Sequence, residues 1–519
     1  MAREFEIKLE IPAADAGKVM RLPWLWELAS GELQPARMVS TYYDTPRCGL
    51  RERGISLRVR RIGARRLQTI KAPLSGAALP MQRSEWEDEI AGEEPDLALA
   101  EGTALDGLSK KTRRALTPMF EAQVDRSAFP IQSANSAIEV AIDRAQIVSG
   151  DASATFCEVE LELKRGASSE LARIARRIAS EVPAALVLKT KADRGYALRN
   201  GAAPQPRRAE ALAITPAVRV GEALQAIGWS CLRHFVLNAD AINNGDTEGV
   251  HQMRIGLRRL RAAISTFRQL LDGPETDAVK AELKWLTDEL GPARDLDVFL
   301  QESLTPLRAS ASDQTGLEAL CEDIAQRREQ ALDRAKAALA SDRYRQLTLR
   351  TALWLVASEW SDAGELGVAQ PSRRVGAFAA HTLGKRTDKI LGKLKRFDDL
   401  SPHERHKLRV DVKKLRYASQ FFEATFPRSA RRRRFMRMLE NLQSDLGALN
   451  DMIVQERLRD ECMAAWTAAE DGANADRETA KKAYAMGYAL GQHQLRRASC
   501  MEAIRKEARA LAELTPYWR

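Results

Sequence analysis

Charged and apolar residues alternate without a break at the start of the chain. Glu4, Glu6, Lys8 and Glu10 fall on one side of this stretch, and Phe5, Ile7 and Leu9 on the other. Alternation at period two predicts a β-strand with two unlike faces. The pattern recurs. Residues 37–44 form a β-branched and aromatic run, and residues 55–60 place Arg58 and Arg60 on one face. Gly63-Ala64 predicts a hairpin turn into a strand over residues 67–71 that carries Lys71. Arg83, Glu85 and Glu87 share a face, a short run holds Arg126, and residues 138–143 end on Asp143. In residues 157–164, Glu158, Glu160 and Glu162 oppose Val159, Leu161 and Leu163. Helical segments are predicted at Asp15–Met20, Trp24–Ala29 and Ser168–Glu181.

A single strand of this kind has a solvated charged face. Several of them, some acidic and some basic, suggest a closed sheet instead. Its apolar sides would face outward onto helices and its charges would line the interior. Acids alone in such a cavity would repel one another and take up protons. Acids with bases fit a divalent cation and a polyphosphate entering together, because carboxylates hold Mg²⁺ or Mn²⁺ and Arg and Lys hold phosphate oxygens.

The pattern changes after residue 200. Asn200 to Pro216 is rich in Pro and Ala and predicts a linker, with a boundary near residues 200–217. Long stretches of helical period follow, and they repeat. Residues 251–261 read HQMRIGLRRLR and residues 406–416 read HKLRVDVKKLR. His251, Arg254, Arg258 and Arg261 share one helical face, and Met253, Leu257, Leu260, Ile264 and Phe267 the opposite one. The second copy sets His406, Arg409, Lys413 and Arg416 against Leu408, Val412, Leu415 and Phe422. Neither basic face carries acidic partners at i+4, so the duplication predicts a paired anion site. Another helix adds Lys385, Lys389, Lys393 and Arg396, and residues 431–434 either add to this charge or form a solvated basic turn. A second repeated pair, LGPARD at 290–295 and LGALND at 446–451, supplies Asp295 and Asp451, expected as helix caps or arginine partners.

Length and composition limit the possibilities. The 519 residues allow more than one domain, and 45% hydrophobic with 29% charged residues describe a globular protein. A net charge of +10 favours a polyanionic partner. The six cysteines form no CxxC pair, which argues against zinc and disulfides and fits a reducing cytosol. The charged N-terminus has no apolar signal region, and no apolar run reaches membrane-span length.

Glu4-x-Glu6-x-Lys8, Arg58-x-Arg60, Lys71, Arg83 with Glu85, the Glu158/Glu160/Glu162 strand and Lys189-x-Lys191 with Arg194-Gly195-Tyr196 resemble the CYTH superfamily, the triphosphate tunnel metalloenzymes. Leu188 departs from it, since some members carry Ser there. The duplicated HxxRxxx(R/K)(R/K)xR pattern resembles the CHAD domain. The resemblance implies an α+β chain. Residues 1–200 would form an antiparallel eight-stranded β tunnel, and residues 218–519 an all-α duplicated helical bundle that binds inorganic polyphosphate.

By the same resemblance, Glu4, Glu6, Asp143, Glu158, Glu160 and Glu162 are metal ligands for Mg²⁺ or Mn²⁺. Lys8, Arg58, Arg60, Lys71, Arg83, Arg126, Lys189, Lys191 and Arg194 hold phosphate oxygens during hydrolysis of inorganic triphosphate. His251, Arg254, Arg258, Arg261, Lys389, His406, Arg409, Lys413 and Arg416 bind polyphosphate. The alternatives left open are a class IV-type adenylate cyclase, a thiamine triphosphatase, or a non-catalytic polyphosphate-binding protein. No nucleic acid or membrane partner is expected. The expected place is the cytoplasm, with association to polyphosphate granules left open.

Overall fold

A computed structural model describes residues 2–73, 82–201, 203–310, 316–357, 371–468 and 473–518. The side chains of Glu4 and Arg83 lie outside the described residues, although their backbones pair.

Eight antiparallel strands close into a ring: β1 (Ala2–Ile11), β2 (Gln34–Asp44), β3 (Ser56–Ile62), β4 (Arg65–Pro73), β5 (Gln82–Glu89), β6 (Thr117–Ser133), β7 (Ser136–Ser149) and β8 (Ala152–Arg165). A two-residue strand, β9 (Ala185–Leu186), adds beside β1. The first half of β1 pairs with β5 and the second half with β8, which closes the sheet without a free edge. β3 and β4 join through Gly63-Ala64, with Gly63 at φ 58°, as the hairpin pattern predicts. β6 is far longer than the short run read around Arg126. Its outer segment carries isolated polar residues that weaken the alternation.

The apolar face of β1 and β8 points outward. Ile7, Leu9, Val159 and Leu161 are buried there, and the helix Ser168–Glu181 packs on both strands. That helix buries Leu171, Ile174, Ala175 and Ile178 on one stripe. Its cover includes the helix Asp342–Ala357, whose Val356 carbonyl accepts from Ser168 Oγ at 2.9 Å. Residues 228–237 join the same compact unit, where Gly228 leaves room for Leu355. The first compact unit therefore draws segments from beyond the linker.

The inner face is only partly charged. Beyond Arg58, Arg60, Arg126 and Asp143, the same face continues into Ile62, Val124, Ala145 and Met38, which cluster together. Tyr42, Phe120, Ala122, Ile147 and Tyr196 form a second inner cluster. This corrects the expectation of a wholly charged lumen. The reason is the helix Lys191–Asn200, which seats Tyr196 among these strands and needs an apolar bed. Its start is set by a capping box between Thr190 and Asp193, worth about 1 kcal/mol.

The second compact unit is helical. Its two repeated helices are Thr247–Thr266 and Pro402–Phe421, and they pack on each other. Asp246 caps the first, and Ser401 with Glu404 forms a capping box on the second. Met253, Leu257, Leu260, Ile264 and Phe267 are all buried, as their spacing predicts. Phe267 and Phe422, at equivalent positions of the repeat, meet edge to face with centroids 6.1 Å apart. The Arg431–Arg434 run is not a turn. It lies in the first turns of the helix Ala430–Ala468, and Arg432 is buried, donating to the Glu423 and Phe426 carbonyls at 2.6 and 2.9 Å. No described helix is long and apolar enough to cross a membrane.

Candidate active site and anion cavity

Cross-strand register assembles the charges inside the ring. In one row Arg126 stands opposite Asp143, Asp143 opposite Glu158, and Glu158 opposite Glu10. Two residues along, Lys8 stands opposite Glu160. Two further on, Glu139 faces Glu162, which faces Glu6. Like charges directly across a ladder are destabilising, and each row is relieved by cations. Arg126 binds Asp143 through two bonds of 2.7 Å and also reaches Glu160. Lys8 Nζ lies 2.7 Å from Glu160 and 3.1 Å from Glu6. Lys164 reaches Glu162 at 2.6 Å and Glu139 at 3.7 Å. Lys191, the first residue of its helix, reaches Asp143 and Glu160 at 2.8 Å each, and Glu158 as well.

These groups surround a cavity of about 520 Å³. Of the residues expected to hold phosphate, Lys8, Arg58, Arg60, Lys71, Arg126 and Lys191 line it. Of the expected metal ligands, Glu6, Glu160 and Glu162 line it, and Asp143 and Glu158 are buried against the Glu160 wall. Lys189 and Arg194 stand apart from the lining. Arg194 pairs with Glu10 and covers the Phe156 ring at 4.2 Å. Tyr42, Glu85, Glu87, Glu139, Lys164 and Thr190 also line the cavity. The strand alternation that marks Glu158 and Glu160 marks Glu139 and Lys164 equally. Tyr42 carries no such mark, because it sits in the uncharged run Ser40-Thr41-Tyr42-Tyr43.

Burial alone would raise the Glu160 carboxyl. Lys191, Lys8 and Arg126 reverse that and hold it well below the usual carboxylate range. Burial dominates at Glu158 and raises it, against the pull of Lys191. Arg60, buried beside Arg58, is lowered to about 10. Asp143, Glu158 and Glu160 each offer an oxygen, and the three oxygens lie within 4.8 Å of one another. An all-oxygen donor set fits a hard divalent cation such as Mg²⁺ or Mn²⁺.

In the helical unit the two basic faces meet. His251, Arg254 and Arg258 of the first copy and Arg409 and Lys413 of the second line one cavity of about 380 Å³. Arg254 and Arg409 are equivalent in the repeat, as are Arg258 and Lys413. The Nε atoms of Arg254, Arg258 and Arg409 are buried with no hydrogen-bond partner among the described residues. Burial, Arg409 and Arg258 lower Lys413 to about 7, and burial with Arg294 lowers His251 to about 4. The second repeated motif enters here too, with Arg294, Asp295, Asn450 and Asp451. Its aspartates act as arginine partners and not as caps: Asp295 accepts from Arg457 at 3.2 Å and Asp451 lies 3.7 Å from Arg409.

Four of the expected residues stand outside this cavity. Arg261 and Arg416 lie one turn beyond it, and Lys389 pairs with Asp411 at 3.1 Å. His406 Nδ1 bonds Asn450 Oδ1 at 2.8 Å and lines a neighbouring, mostly apolar pocket.

Two family models match the chain: the CYTH domain over residues 2–196 and the CHAD domain over residues 226–460. The crystal structure of the CHAD domain from the plant Ricinus communis is 30% identical, with 59% of this chain and 97% of that one covered and a TM-score of 0.51. The chain belongs to the CHAD family and carries a CYTH domain over residues 2–196. A Haemophilus influenzae protein named inorganic triphosphatase is 28% identical to this CYTH–CHAD chain over 200 residues, 38% of this chain and 55% of that one. An uncharacterized Mycobacterium tuberculosis protein is 28% identical over 232 residues, 43% of this chain and 42% of that one. The CYTH–CHAD chain thus spans about half the length of the curated relatives it matches.

Proposed function

We propose that the tunnel hydrolyses inorganic triphosphate to pyrophosphate and phosphate with Mg²⁺ or Mn²⁺, and that the helical cavity binds inorganic polyphosphate. One observation carries the first part. Apart from Ala192, every described residue lining the charged cavity of the tunnel is charged or carries a hydroxyl. Seven cations and six carboxylates suit a compact, highly charged, metal-bearing anion, and Ala192 is the one aliphatic side chain among the described residues lining this cavity.

Lys8, Arg58, Arg60, Lys71, Arg126 and Lys191 hold the phosphate oxygens and stabilise charge as the terminal bond breaks. Glu6, Asp143, Glu158, Glu160 and Glu162 are the carboxylates that hold the cation, which supplies charge neutralisation when bound. Glu4 and Arg83 belong to β1 and β5, Lys189 to the bend before the helix Lys191–Asn200, and Arg194 to that helix. The test is to incubate the purified protein with triphosphate, ATP and thiamine triphosphate and to measure phosphate, pyrophosphate and cyclic AMP. Metal-dependent release of phosphate and pyrophosphate from triphosphate supports the reading. A higher kcat/KM on ATP, or formation of cyclic AMP, replaces it.

The second part rests on Arg254, Arg258, Arg409 and Lys413. These four cations converge from two repeats on one cavity and lack enough acids to neutralise them. A chain of phosphates offers the missing acceptors at regular spacing.

A further inference from the structure

The ammonium of Lys191 stands where three carboxylates converge. Asp143 Oδ2 and Glu160 Oε1 accept from Nζ at 2.8 Å each, and Glu158 Oε1 accepts a third, shorter bond. An ammonium has three donors, so Lys191 is fully satisfied here. The same carboxylates are the group whose oxygens lie within 4.8 Å of one another. Lys8 and Arg126 bind the cluster from its other sides. Three carboxylates therefore face three cations, and their formal charges balance. A divalent ion on these oxygens would sit against Nζ in a buried site, where two positive charges repel strongly.

We propose that Lys191 is a positioning residue that exchanges with the divalent cation: its ammonium holds Asp143, Glu158 and Glu160 together before metal binds and leaves them for phosphate oxygens when the cation arrives. This rests on reading the tunnel as a metal-dependent triphosphate site. The exchange needs only a side-chain swing. The backbone of Lys191 is held by the Thr190 capping box, and its helix is anchored by Tyr196 and by the close approach of Gly195 to Phe120. Thr190, Lys191 and Ala192 already face the cavity, so the lumen is within reach. The consequence is coupling. Triphosphate gives the displaced ammonium a new partner, so triphosphate and metal each raise the affinity for the other by the same factor.

The test is Mn²⁺ binding to the full-length protein, followed by the electron paramagnetic resonance signal of free Mn²⁺. It is run with and without a non-hydrolysable imido analogue of triphosphate. Lys191→Met is expected to bind Mn²⁺ at least tenfold more tightly than the unchanged protein without the analogue, and to gain less from adding it. Lys191→Arg, which keeps the charge, is expected to stay weak. If Lys191→Met does not fold, Lys191→Gln removes the charge while keeping a donor and carries the same expectation. Mn²⁺ affinity equal to or below that of the unchanged protein in the neutral variant overturns the exchange. Tightening of Mn²⁺ in Lys191→Met, when the unchanged protein cleaves no triphosphate, leaves the exchange standing and removes the proposed reaction. Cleavage without tightening does the reverse.

Discussion

Tyr196 donates its hydroxyl to Asp44 Oδ2 at 2.7 Å and so ties the helix that carries Lys191 to the end of β2. Asp44 is fully buried and also accepts from the backbone N–H groups of Thr45, Leu50 and Arg51 at 2.6–3.0 Å. One carboxylate thus organises the loop after β2 and anchors the helix inside the ring. Tyr196→Phe leaves a buried charged oxygen short of a partner. It is expected to lower stability by about 1–3 kcal/mol, read as a shift of the urea midpoint with an unchanged slope.

Gly195 sits against the Phe120 ring so closely that a Cβ would overlap it. Phe120 cannot yield easily, because it stacks on Tyr42 at 4.8 Å and meets Tyr196 edge-on at 5.1 Å. Gly195→Ala is expected to cost about 1–3 kcal/mol as overpacking, despite the better helix propensity of Ala. An unchanged melting temperature would show that the helix does not dock as described.

Glu6 lies 3.1 Å from Lys8 and opposite Glu162 in the sheet. Glu6→Gln keeps the shape and removes one carboxylate charge. Metal-dependent cleavage of triphosphate is expected to fall at least about 100-fold, the upper end of what losing an outer-shell partner costs, with circular dichroism unchanged. Full turnover in a folded variant would exclude Glu6 as a ligand.

Polyphosphate binding is expected to weaken log-linearly with salt, as for other polyanions that release counterions. Replacing Arg254, Arg258, Arg409 and Lys413 together by Gln should flatten that slope. Affinity should drop by several kcal/mol, at roughly 1 kcal/mol per charge-assisted contact. The fitting control is Arg431, Arg433 and Arg434, which are exposed. Arg432 is left alone because its burial is structural. Equal losses in both variants would mean diffuse attraction and no defined site.

Burial and the neighbouring Arg409 and Arg258 push Lys413 down to about 7, and Asp451 only partly offsets them. A bound anion raises that value, so binding above pH 7 takes up a proton. Affinity should be nearly flat below pH 7 and fall above it by up to about tenfold per pH unit. Lys413→Arg, charged throughout, should remove the dependence. A slope that persists in Lys413→Arg assigns the proton elsewhere.

The sequence by itself marked most strands of the ring and the repeated helices, with the side of each that carries charge, but not the length of β6 or the helix Lys191–Asn200. Alternation at period two in Glu4–Glu10 and helical spacing from His251 to Phe267 are local, so they are legible without any partner. The repeat was legible for the same reason, because two copies can be compared directly. Only the tertiary structure decided which charges meet. Lys191 and Glu158 are separated by 33 residues, and Arg126 and Glu160 by 34, and their meeting depends on strand register and ring closure. Closure also turned part of the lumen into an apolar seat for Tyr196 and drew the helix Asp342–Ala357 onto the first unit. In the repeat, the fold separated His251 from its twin His406, because the neighbours supplied by the second motif differ on the two sides. Such choices depend on long-range packing, which no local spacing encodes.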